Sequence, residues 1–186
     1  MKGSKRMIKG IECFISEEAL RLHNDYLKNL KLQYSVIEKS IPEIKNADFD
    51  SILKRRNMRY RDELVSLRAE ILCHELFFKS FGEAYQSSLS VRKFYRTEAS
   101  FTYDLYEKCK DKSAAFLVIC VQNNAINSIL LNNPADIFRI KSPCLCIDLC
   151  EHSYFLDYGF DKERYVSSLL PYLKLGVLDN FLEDKH

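Results

Sequence analysis

No run of about eighteen apolar residues occurs in the chain, which excludes a membrane-spanning helix of ordinary length. The basic start MKGSKRMIKG is not followed by the apolar run that a secretory signal carries. Charge of one sign is scarce as well: 28 Lys and Arg face 26 Asp and Glu, for a formal net charge of +2. That balance argues against nucleic acid as a nonspecific partner, so any use of electrostatics must be local. The seven cysteines (13, 73, 109, 120, 144, 146 and 150) are odd in number, and none stands in a paired CxxC pattern of the kind that clamps zinc. Free thiols in a reducing compartment are the default reading. Internal repeats and low-complexity segments are absent too. These absences predict a soluble, intracellular protein with no membrane contact, placed in the cytoplasm, with the mitochondrial matrix as the alternative.

What is present is enough apolar material for a core: 47% of 186 residues are hydrophobic, which suits one domain or two small ones. From Ile15 to about Lys39, Leu20, Leu22, Leu27, Leu30, Leu32, Val36 and Ile37 recur at helical spacings after Ser16, an N-cap followed by Glu17 and Glu18. Pro42 and the polar stretch through Asp50 interrupt that stripe, and a second one runs from about Ser51 to Phe81, ending at Gly82. A third helical stretch covers roughly Ser88 to Thr97, after which the pattern turns toward short β-type runs. AAFLVICVQ (114 to 122) and CLCIDLC (144 to 150) read as strands, and the remainder as short helices broken by Gly159, Pro171 and Gly176. The predicted fold is α+β: a long antiparallel helical hairpin in an N-terminal domain, 1–84, then a small antiparallel three-stranded sheet packed with helices in 85–186. The basic run KRRNMRYR (54 to 61) reads as a solvated helix face.

Of four histidines, His186 is the last residue, which leaves His23, His74 and His152 for an ordered site. A lone histidine on an amphipathic helix is more often a satisfied core or surface residue than a ligand. Asp148 and His152, four residues apart at a predicted strand end, could aim a carboxylate and an imidazole at one point. Three imidazoles with one carboxylate suit iron, manganese or zinc. From the residues alone the reading stops at a possible His/Asp metal site.

The segment IDLCEHSYFLDY (147 to 158) resembles the signature of the iron/manganese superoxide dismutases, with Asp148, Glu151, His152, Ser153, Tyr154, Phe155 and Leu156 in its order. IECFISEEALRLH (11 to 23) is similar to that family's opening stretch, which leads into its first ligand histidine, and AEILCHELFFKSF (69 to 81) to its second-helix word. RYVSSLLPYLKLGVLDNF resembles the family's final helices. The resemblance implies that His23, His74, Asp148 and His152 hold one manganese or iron ion per chain, with solvent in a fifth position and no catalytic residue beyond the ligands. It implies superoxide as substrate, disproportionated to oxygen and hydrogen peroxide. It also implies a homodimer, in which Glu151 crosses a twofold interface to the partner's ligand histidine and Tyr154 belongs to the same interface.

Around the ligands the chain departs from the family. Counting from His23, Leu27 stands at the place of the gate histidine and Lys31 at that of the gate tyrosine. A rival register of HNDYLKNL (23 to 30) makes Tyr26 the gate tyrosine but puts Glu18 at the first ligand. His23 as ligand, with or without a one-turn deletion after it, is the better match. Glu70 replaces a glutamine beside the bound solvent, so a carboxylate accepts where an amide would donate. The chain has no tryptophan; Leu72, Phe78 and Cys150 occupy three places where the family lines its pocket with it. These departures keep open an alternative, a noncatalytic superoxide-dismutase-like structural or interaction subunit, for example of a mitochondrial ribosome.

Overall fold

The computed structural model describes residues 10–41, 49–55, 58–110 and 114–181. Pro42 and His186, both weighed above, lie outside the described residues. Helix α1 (Glu17–Ser40) begins where Ser16 predicts, the Ser16 hydroxyl accepting from the Ala19 amide at 3.2 Å. Glu17 and Glu18 lie at the positive end of its dipole. Its inward face is Ala19, His23, Leu27 and Leu30, one helical stripe.

The second stripe is two helices rather than one: α2 (Phe49–Lys54) and α3 (Arg61–Lys79). Tyr60, at the N-cap of α3, has φ 58. That left-handed backbone cannot continue a right-handed helix, and so the apolar period restarts at α3. The described residues of the basic run between α2 and α3 (55 and 58–60) are therefore a connector and not a helix face, with Arg59 stacked 4.6 Å over the Tyr60 ring. α1 and α3 run antiparallel: His23 meets Phe77, Leu27 and Leu30 meet Leu67 and Ile71, and Ile37 packs near Leu64.

After α4 (Leu89–Tyr95) the chain does not turn to strand but enters α5 (Glu98–Cys109). The Thr97 side chain caps α5, and Phe101, Leu105 and Cys109, spaced by four, are buried on one face. The sheet follows as β1 (Phe116–Gln122), β2 (Ala125–Leu131) and β3 (Pro143–Asp148), antiparallel in the order β2-β1-β3. A two-residue turn, Asn123–Asn124, joins β1 to β2 with φ of 53 and 58, a conformation asparagine tolerates. Helices α6 (Glu151–Tyr158) and α7 (Lys162–Leu169) and 3-10 turns at Leu170–Tyr172 and Leu175–Phe181 complete the described chain. Gly159, at φ 57, ends α6. The architecture is α+β, and its main apolar cluster draws on both halves, from Ile11, Phe77 and Phe81 to Leu117, Val166 and Leu178. That shared core presses α1 and α3 against the carboxyl end of β3.

Candidate metal centre

Four elements bring the centre together. β3 ends at Asp148, α1 and α3 present His23 and His74, and α6 presents His152 one residue into its first turn. Asp148 Oδ2 is the hub, 3.1 Å from His23 Nε2, 3.3 Å from His74 Nε2 and 3.2 Å from His152 Nε2. The four donor atoms all lie within 4.8 Å of one another. His23, His74 and Asp148 are fully buried, while the His152 side chain keeps 32% of its surface exposed, which places it at the mouth.

Each donor is fixed from behind. His74 Nδ1–H donates to the Glu70 carbonyl at 2.7 Å, which leaves the Nε2 lone pair facing the cluster. Asp148 Oδ1 accepts from the Cys150 amide at 2.9 Å, and the Asp148 carbonyl accepts from the Tyr165 hydroxyl at 2.9 Å. Burial by itself would raise the Asp148 pKa, but the three imidazoles outweigh it and hold the carboxyl well below the usual range. Burial lowers the pKa of His23; at His74 burial acts the same way, but Asp148 prevails and the net shift is upward.

The walls are aromatic. Phe77 and Phe78 each lie 5.0 Å from the His23 ring, and Phe116, cross-strand from Asp148, lies 5.4 Å from His74. Sequence reasoning named Phe78 but missed Phe77, Phe116 and Tyr165. Phe77 stands three residues after His74, a spacing that could have found it; Phe116 and Tyr165 are brought in only by strand pairing and helix packing.

The remaining site residues of the sequence reading separate into near and far. Tyr26, one turn after His23, lies over His152 with ring centroids 4.5 Å apart and donates its hydroxyl to Glu70 Oε2 at 3.0 Å. Leu27 is buried with Leu30, Leu67 and Ile71, and Lys31 pairs with Glu75 at 2.7 Å. Cys150 sits half-buried behind Asp148. Glu151 is exposed beside His152, and Tyr154 is buried within the chain, stacked on Tyr165 at 5.0 Å.

The donor set suits a cation. Both ring nitrogens of His23 and Asp148 Oδ2 are buried without a hydrogen bond, although the ligand atoms are 3.1 to 3.3 Å apart. His74 Nε2 and His152 Nε2 face each other at 3.1 Å. Buried polar atoms that converge without bonding one another are costly unless a positive ion completes them. Three imidazole nitrogens with one carboxylate are a usual donor set for first-row transition metals. Among the described residues no other group of this kind is found.

Residues 82–177 match the family model described as "Iron/manganese superoxide dismutases, C-terminal domain". A stretch of 57 residues is 33% identical to "Superoxide dismutase [Fe] 3, chloroplastic" of Arabidopsis thaliana, covering 31% of this chain and 19% of the relative. The aligned stretch thus spans about a fifth of that relative's length. Asp148 and His152 fall inside the family match, whereas His23 and His74 precede it and reach the same point through the fold.

Proposed function

The chain belongs to the iron/manganese superoxide dismutase family, and from its site we propose that it holds one iron or manganese ion and disproportionates superoxide to oxygen and hydrogen peroxide. The observation that carries this is the convergence of His23, His74, Asp148 and His152, with both ring nitrogens of His23 and Asp148 Oδ2 buried and without a hydrogen bond. When bound, the ion would supply the one-electron couple that superoxide alternately reduces and oxidises. One carboxylate with three neutral imidazoles leaves a divalent or trivalent ion with net positive charge, which favours an anionic substrate.

The chain's own residues supply position and dryness. Glu70, through its carbonyl, holds the His74 tautomer, and Cys150 and Tyr165 hold Asp148 by hydrogen bonds to opposite ends of the residue. Phe77, Phe78 and Phe116 keep water from the imidazole faces. Tyr26 stands at the mouth with its proton retained, because burial and the Glu70 carboxylate push its pKa up. Its O–H is directed to Glu70, so the phenol oxygen presents its lone pairs elsewhere.

In this reading the enzyme works as a homodimer through Glu151, while Tyr154, buried on Tyr165 within the chain, supports α6 behind that contact instead of entering it. Seven free cysteines support a reducing compartment, the cytoplasm or the mitochondrial matrix. One observation favours a second reading, a noncatalytic structural or interaction subunit: the Tyr26 hydroxyl is committed to a carboxylate in place of an amide.

Elemental analysis with a superoxide-removal assay decides between them. We expect about one iron or manganese per chain, superoxide removal by the loaded protein, and loss of both in His74→Ala and Asp148→Ala. A folded wild type that stays free of both metals when both are supplied overturns the enzymatic reading.

A further inference from the structure

Away from the metal centre, a cleft of about 380 Å³ opens between α4, the start of α5 and the chain that follows α7. It shares no residue with the centre or its aromatic walls. One side is apolar: Leu170, Leu173 and Leu175, all members of the main core, line it together with Pro171. The other side is a single pair of opposite charges. Arg96, at φ 66, ends α4, and the Thr97 side chain caps α5 at once. That sharp turn sets Arg92, in the last turn of α4, against Glu98, the first residue of α5, each at the helix end whose dipole favours its charge.

The pair is only half used. Arg92 Nε donates to Glu98 Oε1 at 2.7 Å, and the same oxygen accepts from the Ser88 amide at 3.1 Å. Neither Nη nitrogen of Arg92 nor Oε2 of Glu98 is hydrogen-bonded to another described residue. Tyr85 completes the rim. It is 85% exposed and held at φ 58, its amide donating to the Pro171 carbonyl at 2.7 Å. A left-handed backbone is costly for a tyrosine, and such conformations gather at ligand clamps.

We propose that this cleft binds a free α-amino acid with an apolar side chain of leucine to phenylalanine size. An ion of one sign is poorly served there. A lone carboxylate facing Arg92 also meets Glu98, and a lone amine facing Glu98 also meets Arg92. A zwitterion answers both. Its carboxylate accepts from the two Nη groups as a fork, and its ammonium, one carbon away, donates to Glu98 Oε2. Its side chain covers the leucines and Pro171, with Tyr85 at the edge. The volume is at the small end of ligand pockets, which run from about 300 to 1,000 Å³. No residue of the cleft takes part in the superoxide reading, and the two stand separately.

The full-length, metal-loaded protein is titrated calorimetrically with L-leucine, L-phenylalanine, 3-phenylpropionate, phenethylamine and N-acetyl-L-leucine amide, and its thermal midpoint is followed with each. The two amino acids should give saturable heat and raise the midpoint, since a ligand of the folded state alone stabilises it. Removing either charge from the ligand should weaken binding about tenfold or more, as loss of one charge-assisted hydrogen bond does. Glu98→Gln, close in shape, and Arg92→Ala, which leaves the bond between Glu98 and the Ser88 amide, should each weaken it by about the same factor. Metal content and the ligand-free midpoint should stay near those of the wild type; where a variant's midpoint falls, the ligand series on the wild type decides alone. No saturable heat from either amino acid overturns the proposal. Binding of 3-phenylpropionate or phenethylamine as tight as that of phenylalanine overturns it too, by showing that the charged pair plays no part. N-acetyl-L-leucine amide binding as tightly as leucine would make a peptide, and not a free amino acid, the ligand.

Discussion

Glu70 acts twice from one position. Its backbone carbonyl holds His74, and its carboxylate holds Tyr26 over His152. The two roles separate by mutation, because only the second depends on the side chain. Glu70→Ala is expected to keep the ion, as measured by elemental analysis, while superoxide removal falls about fivefold through loss of one hydrogen bond worth about 1 kcal/mol. Tyr26→Phe should fall by a similar factor, and the double variant no further than either single one, since both remove the same bond. Additive losses would mean that Tyr26 and Glu70 act apart.

At the scale of elements, the start of α4 depends on a distant carboxylate. Asp179 Oδ1 accepts from the Ser88 hydroxyl at 2.7 Å and the Ser90 amide at 2.8 Å, and Oδ2 accepts from the Leu89 amide at 3.3 Å. Burial raises the Asp179 pKa, but these donors outweigh it and hold the carboxyl below its usual value. An unfolded carboxyl titrates at about 3.9, so below that pH the unfolded chain binds the proton more readily than the folded one. The contribution of Asp179 is therefore complete above about pH 4 and is lost as pH falls through its depressed folded value. Asp179→Asn is expected to cost about 1–2 kcal/mol in urea unfolding near neutral pH. That difference should shrink as the pH is lowered below about 4. A difference independent of pH would show that the ionised carboxylate contributes nothing.

For the whole molecule, the exposed side of α6 bears on assembly. Glu151 lies exposed next to His152, and Phe155, Leu156 and Phe160 are 48, 56 and 83% exposed close by. An apolar patch of this kind beside an acidic group fits the proposed contact with a second copy. Sedimentation of the wild type at micromolar concentration is expected to show a dimer, and Glu151→Ala to weaken both the dimer and the retention of the ion. A wild-type monomer under those conditions removes Glu151 from any bridging role.

Local chemistry made much of this legible in the sequence. Ser16 before two glutamates marks the start of α1, Gly159 marks the end of α6, and the period of Leu27 and Leu30 marks an inward face, since each depends on neighbours within a turn or two. The α+β class and the candidates His23, His74, Asp148 and His152 were legible too, the latter through the order of the words around them. The left-handed Tyr60 that splits α2 from α3 was not, because backbone sign at a non-glycine residue leaves no compositional trace. α5 was obscured by polar residues between Phe101, Leu105 and Cys109. Only the packed structure decided between the registers after His23, carrying Tyr26 to the mouth while Leu27 entered the hairpin core and Lys31 paired with Glu75. It alone brought Phe116 and Tyr165 to Asp148, because strand pairing and helix packing join residues whose separation along the chain carries no local signal.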